Sequence, residues 1–308
     1  MKYTIYKLSF YTGIHIGEGR LSKSGYVFCA DIFFSALCQE ALKLYGESGI
    51  VKLLNWTRKE KLLLSDGMPY IGNTFYLPKP MVRIEKENQD ASVRKQAKKL
   101  SFVSLQHYDE FLQGNLDFEV ELKEFSRLGK LEVRTRLNKR DDTGPYQVGV
   151  FHYGRNAGIY VIIAYEEEEV LDYIEDLLYS LGCAGIGGKI SSGLGKFEPM
   201  FEEMPESLEQ RLSDYQAYPN KITLSVSLPK ENELEESLHQ ANYGIVLRSG
   251  FIASSTYAEN FQKKKDLYCI KAGSLFFNTY KGDVYDVSAG GTHPVYRYAK
   301  PMFMGVEK

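Results

Sequence analysis

The chain has 308 residues and 44% hydrophobic content, enough for substantial cores in two domains of ordinary size. Its formal net charge of −2, from 38 basic and 40 acidic residues, excludes a protein that coats nucleic acid by bulk attraction. The four cysteines, Cys29, Cys38, Cys183 and Cys269, form no C-x-x-C pair, and no signal peptide or membrane-length apolar run occurs. The expectation is therefore a cytoplasmic protein with no disulfide, no zinc or other metal, no cofactor and no membrane partner.

Tyr3 to Phe10 alternates apolar and polar residues and predicts a first strand, followed by a polar, glycine-bearing loop through Gly25. A helix should follow, capped by Asp31, with Phe33, Phe34, Leu37, Cys38, Ala41, Leu42 and Tyr45 on one face and Gly46 as its stop. Cys38 on that face reads as a buried thiol. Pro69 to Leu77 predicts a second strand, closed by Pro78 and Pro80. Residues 82 to 157 read as an insertion: Asn88 to Gln113 is polar and predicted helical, and Lys130 to Tyr153 predicts a long hairpin turning at Asp141-Asp142-Thr143-Gly144-Pro145. On its incoming arm Leu131, Val133, Thr135 and Leu137 alternate with Glu132, Arg134, Arg136 and Asn138. Five basic residues stand between positions 130 and 140, namely Lys130, Arg134, Arg136, Lys139 and Arg140, against the single acid Glu132. A hairpin with a basic face and aromatic residues such as Tyr146 on the return arm suits a phosphate backbone and unstacked bases; an ordinary solvated hairpin carries the same decoration.

Gly158 to Tyr165 predicts a strand, and Val170, Leu171, Ile174, Leu177, Leu178 and Leu181 predict a helix led by Glu166 to Glu169. Then comes the densest signal in the chain. Residues 185 to 197 hold five glycines, two lysines and two serines, and lead into a strand at Phe197. Glycines of this density let successive N–H groups form an anion-binding nest, so phosphate is the first ligand to consider, with a plain connector as the alternative. The order helix, loop, strand is the reverse of a nucleotide P-loop or a dinucleotide-binding loop, and neither residue pattern is present. Overall the first 205 residues read as β-α-β, insertion, β-α-β, a ferredoxin-like order. Residues 206 to 219 read as a polar connector. From position 220 a second domain is expected, with strands at Lys221 to Leu228, Tyr243 to Ile252, Tyr268 to Phe277 and Val295 to Met304, and a short helix within Glu231 to Gln240. These segments give no clear β-α-β-β-α-β order of their own.

No catalytic motif is present: G-x-S-x-G and H-E-x-x-H are both missing. His15, in Gly13-Ile14-His15-Ile16-Gly17-Glu18-Gly19-Arg20, is the one candidate for general acid or base catalysis of RNA cleavage, and equally a candidate for a hydrogen bond to phosphate or backbone. His293, in Gly290-Gly291-Thr292-His293-Pro294, reads as a turn residue.

Three segments together resemble the RAMP superfamily, the RNA-binding subunits of CRISPR effector complexes. They are the first loop leading into Asp31-Ile32-Phe33-Phe34-Ser35-Ala36-Leu37, the hairpin from Arg134 to Gly144 and the glycine loop from Gly185 to Gly195. With Tyr243 to Phe251 and His293 to Tyr298, the set is similar to the tag-binding subunits of type III-A systems. Ile32 stands where such proteins often carry Thr. The resemblance implies an α+β fold of two ferredoxin-like, RNA-recognition-type domains, with the hairpin as a thumb inserted in the first. It further implies a non-catalytic subunit that holds the crRNA 5′ tag, touches a large polymerase-like subunit and a backbone RAMP subunit, and meets target RNA indirectly. Carried over residue by residue, Gly187, Gly188, Lys189, Ser191, Ser192 and Lys196 would meet tag phosphates, and Arg134, Arg136, Lys139 and Arg140 would line the thumb. His15, Arg20, Lys23 and Arg248 would add contacts. A repeat-processing endoribonuclease using His15 and a protein-interaction subunit without RNA contact remain as alternatives.

Overall fold

The computed structural model describes residues 1–82, 91–137, 144–254 and 256–307. The first part contains β1 (Lys2–Phe10), β2 (Ile16–Glu18), β3 (Arg20–Gly25), α1 (Ala30–Arg58), β4 (Leu62–Leu64), β5 (Met68–Ile71) and β6 (Thr74–Pro78). Next come α2 (Ala91–Lys99), β7 (Phe102–Ser104), α3 (Tyr108–Gln113), α4 (Phe118–Phe125), β8 (Gly129–Leu137), β9 (Pro145–Tyr153), β10 (Ala157–Tyr165), α5 (Glu168–Ala184) and β11 (Phe197–Glu202). The chain continues with α6 (Glu206–Ser213), β12 (Asn220–Thr223), α7 (Leu234–Leu238), β13 (Ile245–Arg248), β14 (Leu267–Ile270), β15 (Leu275–Phe276), β16 (Asp283–Asp286), β17 (Tyr296–Ala299) and β18 (Phe303–Val306).

The main sheet runs β11-β1-β10-β5-β6-β7, with β4 also on β10, and every pairing is antiparallel. Its centre is β10, buried along its whole length. Because successive side chains in a strand point to opposite faces, Ile159, Val161 and Ile163 enter one core while Tyr160, Ile162 and Ala164 enter the other. The first core is roofed by α1 and α5. From α5 it receives Val170, Ile174, Leu177, Leu178 and Leu181, a stripe at helical spacing whose burial contributes roughly 1.5–3 kcal/mol per side chain. The second core collects Tyr108, Phe111, Phe118, Leu208 and Leu212 from α3, α4 and α6, with Ile222, Met304 and Val306 from the three-stranded sheet β15-β12-β18.

Several sequence expectations are corrected. The helix that opens near Asp31 does not stop at Gly46 but runs on to Arg58, with Gly46 at φ 68° as a kink inside it. The chain continues because Leu53, Leu54 and Trp56 restore a buried face beyond the kink. Asp31 is not the cap. Cys29 occupies the N-cap position, and the N–H of Ala30 instead donates to Asp66 Oδ1 at 2.7 Å. The expected strand from Pro69 to Leu77 is two strands, joined at Gly72 and Asn73 by the two-residue turn of a hairpin. The stretch from Asn88 to Gln113 is helical only in parts, since β7 separates α2 from α3 and residues 88 to 90 lie outside the described residues. In the C-terminal part, Lys221 to Leu228 leaves strand geometry after Thr223, and the segments expected from Tyr268 to Phe277 and from Val295 to Met304 each divide into two strands.

The C-terminal part packs directly onto α1. Tyr298 is fully buried, lies against the Phe34 ring and accepts a hydrogen bond from the Leu64 N–H at 2.9 Å. Asp66 Oδ1 also accepts from the N–H of Val226 at 2.8 Å, so one carboxyl joins the start of α1 to the segment after β12. Burial pushes the Asp66 carboxyl up to about 7.

Candidate nucleic-acid interface

The glycine loop is held by the rest of the fold and does not hang free. Ile186 N–H donates to Gly195 O at 2.9 Å, closing the loop on itself, and Gly195 N–H donates to Gly13 O at 2.9 Å. Gly188 N–H donates to His15 O at 2.7 Å. Gly187 has φ 96°, and a Cβ there would lie 2.7 Å from His15 O, so this position needs glycine on both counts. Gly187 and Gly188 thus dock the loop against the His15 segment, and the Gly188 amide is committed to that contact. Among the described residues, the amides of Gly187 and Lys189 have no protein acceptor. Lys189, Ser191 and Ser192 are exposed, whereas Lys196 is half-buried, its N–H bound by Thr12 Oγ1 at 2.9 Å.

His15 itself is buried at 6% exposure. Its Nδ1 lies 2.7 Å from Gly149 O, and a carbonyl can only accept, so Nδ1 carries the proton and donates. The ring fastens the first loop to β9, a structural role that accounts for its geometry.

The hairpin β8-β9 brings its basic face to the same place. Paired residues share a face, so Arg134 with Val148, and Arg136 with Tyr146, lie on one side, together with Val150. Val148 and Val150 pack on Leu194 of the glycine loop, and the Lys189 ammonium lies 5.3 Å from the centre of the Tyr146 ring. Arg136, Tyr146, Lys189, Ser191 and Ser192 therefore form one exposed surface built from two distant segments. Arg134 is half-exposed and restrained, donating from Nη2 to Glu132 Oε2 at 3.0 Å and to His152 Nε2 at 3.1 Å. That guanidinium holds the Glu132 carboxyl below its ordinary range. On the opposite face of β9, β3 crosses Gly149 so closely that a Cβ would meet Ser22 O at 2.6 Å, which leaves Arg20 and Lys23 exposed at the hairpin's flank. Phe151, on the other face of β9, is buried against Tyr26 and Tyr153 and presents no ring at this surface. Lys139 and Arg140, with the expected turn at 141–143, lie outside the described residues.

Arg248 is not part of this surface. It donates from Nε to Asp31 Oδ2 at 2.9 Å and from Nη2 to Asp31 Oδ1 at 2.7 Å. Arg297, which sequence reasoning missed, donates from Nη1 to the same Oδ2 at 2.7 Å. Asp31 is thus the shared acceptor of two arginines, which explains its burial. Cys38, further along α1, is partly buried against the first core, and burial pushes its thiol up to about 12. His293 bonds Ser254 Oγ at 2.8 Å and holds a turn. Among the described residues there is no cluster of three or more His, Cys, Asp or Glu able to hold a metal, and no helix long and apolar enough to cross a membrane.

Comparison with known proteins places these features in context. Residues 216–306 match the family model of the CRISPR Csm4 C-terminal domain. A Mycobacterium tuberculosis protein named CRISPR system Cms protein Csm4 is 35% identical over 95% of this chain and 94% of its own length. A Streptococcus thermophilus protein of the same name is 34% identical over the full length of both. The fold is similar, at TM-score 0.69 and 22% identity over 100% of both chains, to a chain in the crystal structure of the Csm3-Csm4 subcomplex of the type III-A CRISPR-Cas interference complex. It is also similar, at TM-score 0.62 and 20% identity over 99% of this chain and 98% of the other, to a chain of a Csm1-Csm4 cassette in complex with pppApA.

Proposed function

Because the chain belongs to the Csm4 family of type III-A CRISPR proteins, we propose that it is the non-catalytic subunit that holds the 5′ tag of the crRNA. On this reading it bridges a large, Csm1-like polymerase subunit to the Csm3-like backbone filament, as the partners of its structural relatives suggest. It meets target RNA only through that assembly. The order β11-β1-β10-β5 corresponds to a 4-1-3-2 ferredoxin-like sheet, with the hairpin as its thumb. We assign residues 1–205 to this domain, 206–219 to a connector and 220–308 to a second domain of the same type.

The observation that carries the proposal is the joint surface of Arg136, Tyr146, Lys189, Ser191 and Ser192, flanked by Arg20 and Lys23. Its cations and hydroxyls suit phosphate oxygens, and the open face of Tyr146 suits an unstacked base. His15 supports the non-catalytic reading, since its ring is buried and its Nδ1 proton is spent on Gly149 O. The test is titration of labelled tag RNA into reconstituted complex. Arg136→Ala combined with Lys189→Ala should weaken binding and flatten its salt dependence by roughly 0.7 in slope for each lost phosphate contact. An unchanged slope would assign the surface to a protein partner or to solvent.

A further inference from the structure

A cavity of about 970 Å³ opens between the start of β1, the end of α1, the connector after α6 and the C-terminal segments 279–281 and 300–303. No residue of the hairpin, the first loop or the glycine loop lines it. Its volume lies at the upper end of the roughly 300–1,000 Å³ usual for small-molecule sites. The floor holds a buried cation. Lys300 is 1% exposed, and among the described residues its ammonium makes no hydrogen bond. Its ion-pair partner, Glu60 Oε1, stands 3.9 Å away, and the other oxygen of that carboxylate already holds Lys281 at 3.2 Å. Glu233, a further acid on the wall, is occupied by the backbone N–H groups of Lys230, Lys281 and Gly282. Burial pushes Lys300 below the ordinary lysine range, although Glu60 acts to raise it. A buried ammonium with no acceptor in hydrogen-bond reach gains by receiving one from outside.

The rim has the opposite need. Asp214 and Glu236 line it, both exposed, and among the described residues neither carboxylate has an ion-pair partner. A multiply charged anion such as phosphate is disfavoured by these acids, and a simple amine by Lys300 and Lys281. An apolar wall links the two depths: half-buried Tyr215 stacks on buried Phe303 with ring centres 6.0 Å apart, and Tyr3 also faces the cavity. Methylene groups pack on such a wall, and an ammonium is drawn to the ring faces. We propose that this cavity binds a zwitterionic amino acid, its carboxylate on Lys300, its apolar body along Tyr215 and Phe303, and its ammonium at Asp214 and Glu236. This site is separate from the hairpin surface proposed above and does not depend on it.

The test titrates the full chain by calorimetry with three probes: 6-aminohexanoate, which carries both charged ends, hexanoate, which carries only the carboxylate, and hexylamine, which carries only the ammonium. The zwitterion should bind at least about tenfold more tightly than either single-ended probe, since only it makes both charge-assisted contacts. Lys300→Met keeps the buried stem and removes the charge. It should weaken 6-aminohexanoate and hexanoate by about tenfold and spare hexylamine. Asp214→Asn combined with Glu236→Gln changes exposed positions and leaves the core intact; it should weaken 6-aminohexanoate and hexylamine and spare hexanoate. Arg136→Ala should alter none of the three titrations. Failure of all three probes to bind would overturn the proposal. So would a zwitterion bound no more tightly than hexanoate, or a rim variant that binds 6-aminohexanoate as the wild type does. If thermal unfolding shows that Lys300→Met does not fold, the rim variant and the ranking of the three probes decide the question without it.

Discussion

Gly187 and Gly193 stand six residues apart in one loop, both at positive φ, and alanine should affect them very differently. At Gly193, φ is 84° and no heavy atom lies within 4 Å of a Cβ, so the cost is conformational alone, about 1–2 kcal/mol. At Gly187, φ is 96° and the same penalty applies, but the new Cβ would also sit 2.7 Å from His15 O. Relief requires the loop to lift, which breaks the 2.7 Å bond from Gly188 N–H to that same oxygen. Leaving these groups unpaired adds about 1–3 kcal/mol, for a total of roughly 2–5 kcal/mol. Urea unfolding of the two variants should therefore separate them by at least about 1 kcal/mol, with unchanged m-values. Hydrogen exchange at the Gly188 amide should accelerate in Gly187→Ala and remain protected in Gly193→Ala. Because Lys189 follows the docked pair, only Gly187→Ala should also weaken RNA binding by displacing the ammonium from Tyr146. Equal destabilisation of the two variants would refute the docking role and return the glycines to a connector.

Three further outcomes are expected. Asp66→Asn should flatten the pH dependence of stability: the native carboxyl titrates near about 7 against an ordinary 3.8, so wild-type stability falls as pH rises between those values. The variant should remove up to about 4 kcal/mol of that loss, read from thermal or urea unfolding across pH 4.5 to 7.5. His15→Ala should leave crRNA length unchanged in the assembled complex, while costing about 1–3 kcal/mol of stability because Gly149 O loses its buried donor; accumulation of unprocessed repeat RNA would favour the endonuclease alternative. Arg134→Ala should reduce the salt slope of RNA binding less than Arg136→Ala does, since Arg134 is already shared between Glu132 and His152; equal reductions in parallel anisotropy titrations would count against that restraint.

What could be read from sequence was what short-range periodicity records. Alternation in Tyr3 to Phe10 marks β1, the short apolar run from Gly158 to Tyr165 marks the fully buried β10, the apolar stripe of α5 marks its helix, and the glycine run falls between helix and strand as expected. The hairpin was legible because its two arms are local to each other. Local rules failed where distant residues override them. Asp31 satisfies every requirement of a helix cap, yet its acceptors are taken by Arg248 and Arg297, 217 and 266 positions away. Gly46 satisfies the rule for a helix stop, yet the buried face resumed by Leu53, Leu54 and Trp56 carries α1 through it.

The same distinction governs the proposed binding surface. The hairpin and glycine loop could each be nominated in isolation, because a basic face and a nest of glycines are properties of contiguous sequence. What no window reveals is their contact, made by Val148 and Val150 on Leu194, which turns two weak signals into one surface. The ion cluster at Asp31 announces itself in no segment at all, since Arg248 and Arg297 come from separate strands and meet only where the C-terminal part packs on α1. Exchanging Asp31 for Asn would leave two arginines without their shared anion, so that substitution should disturb the packing of the C-terminal strands on α1 before it disturbs RNA binding at the hairpin.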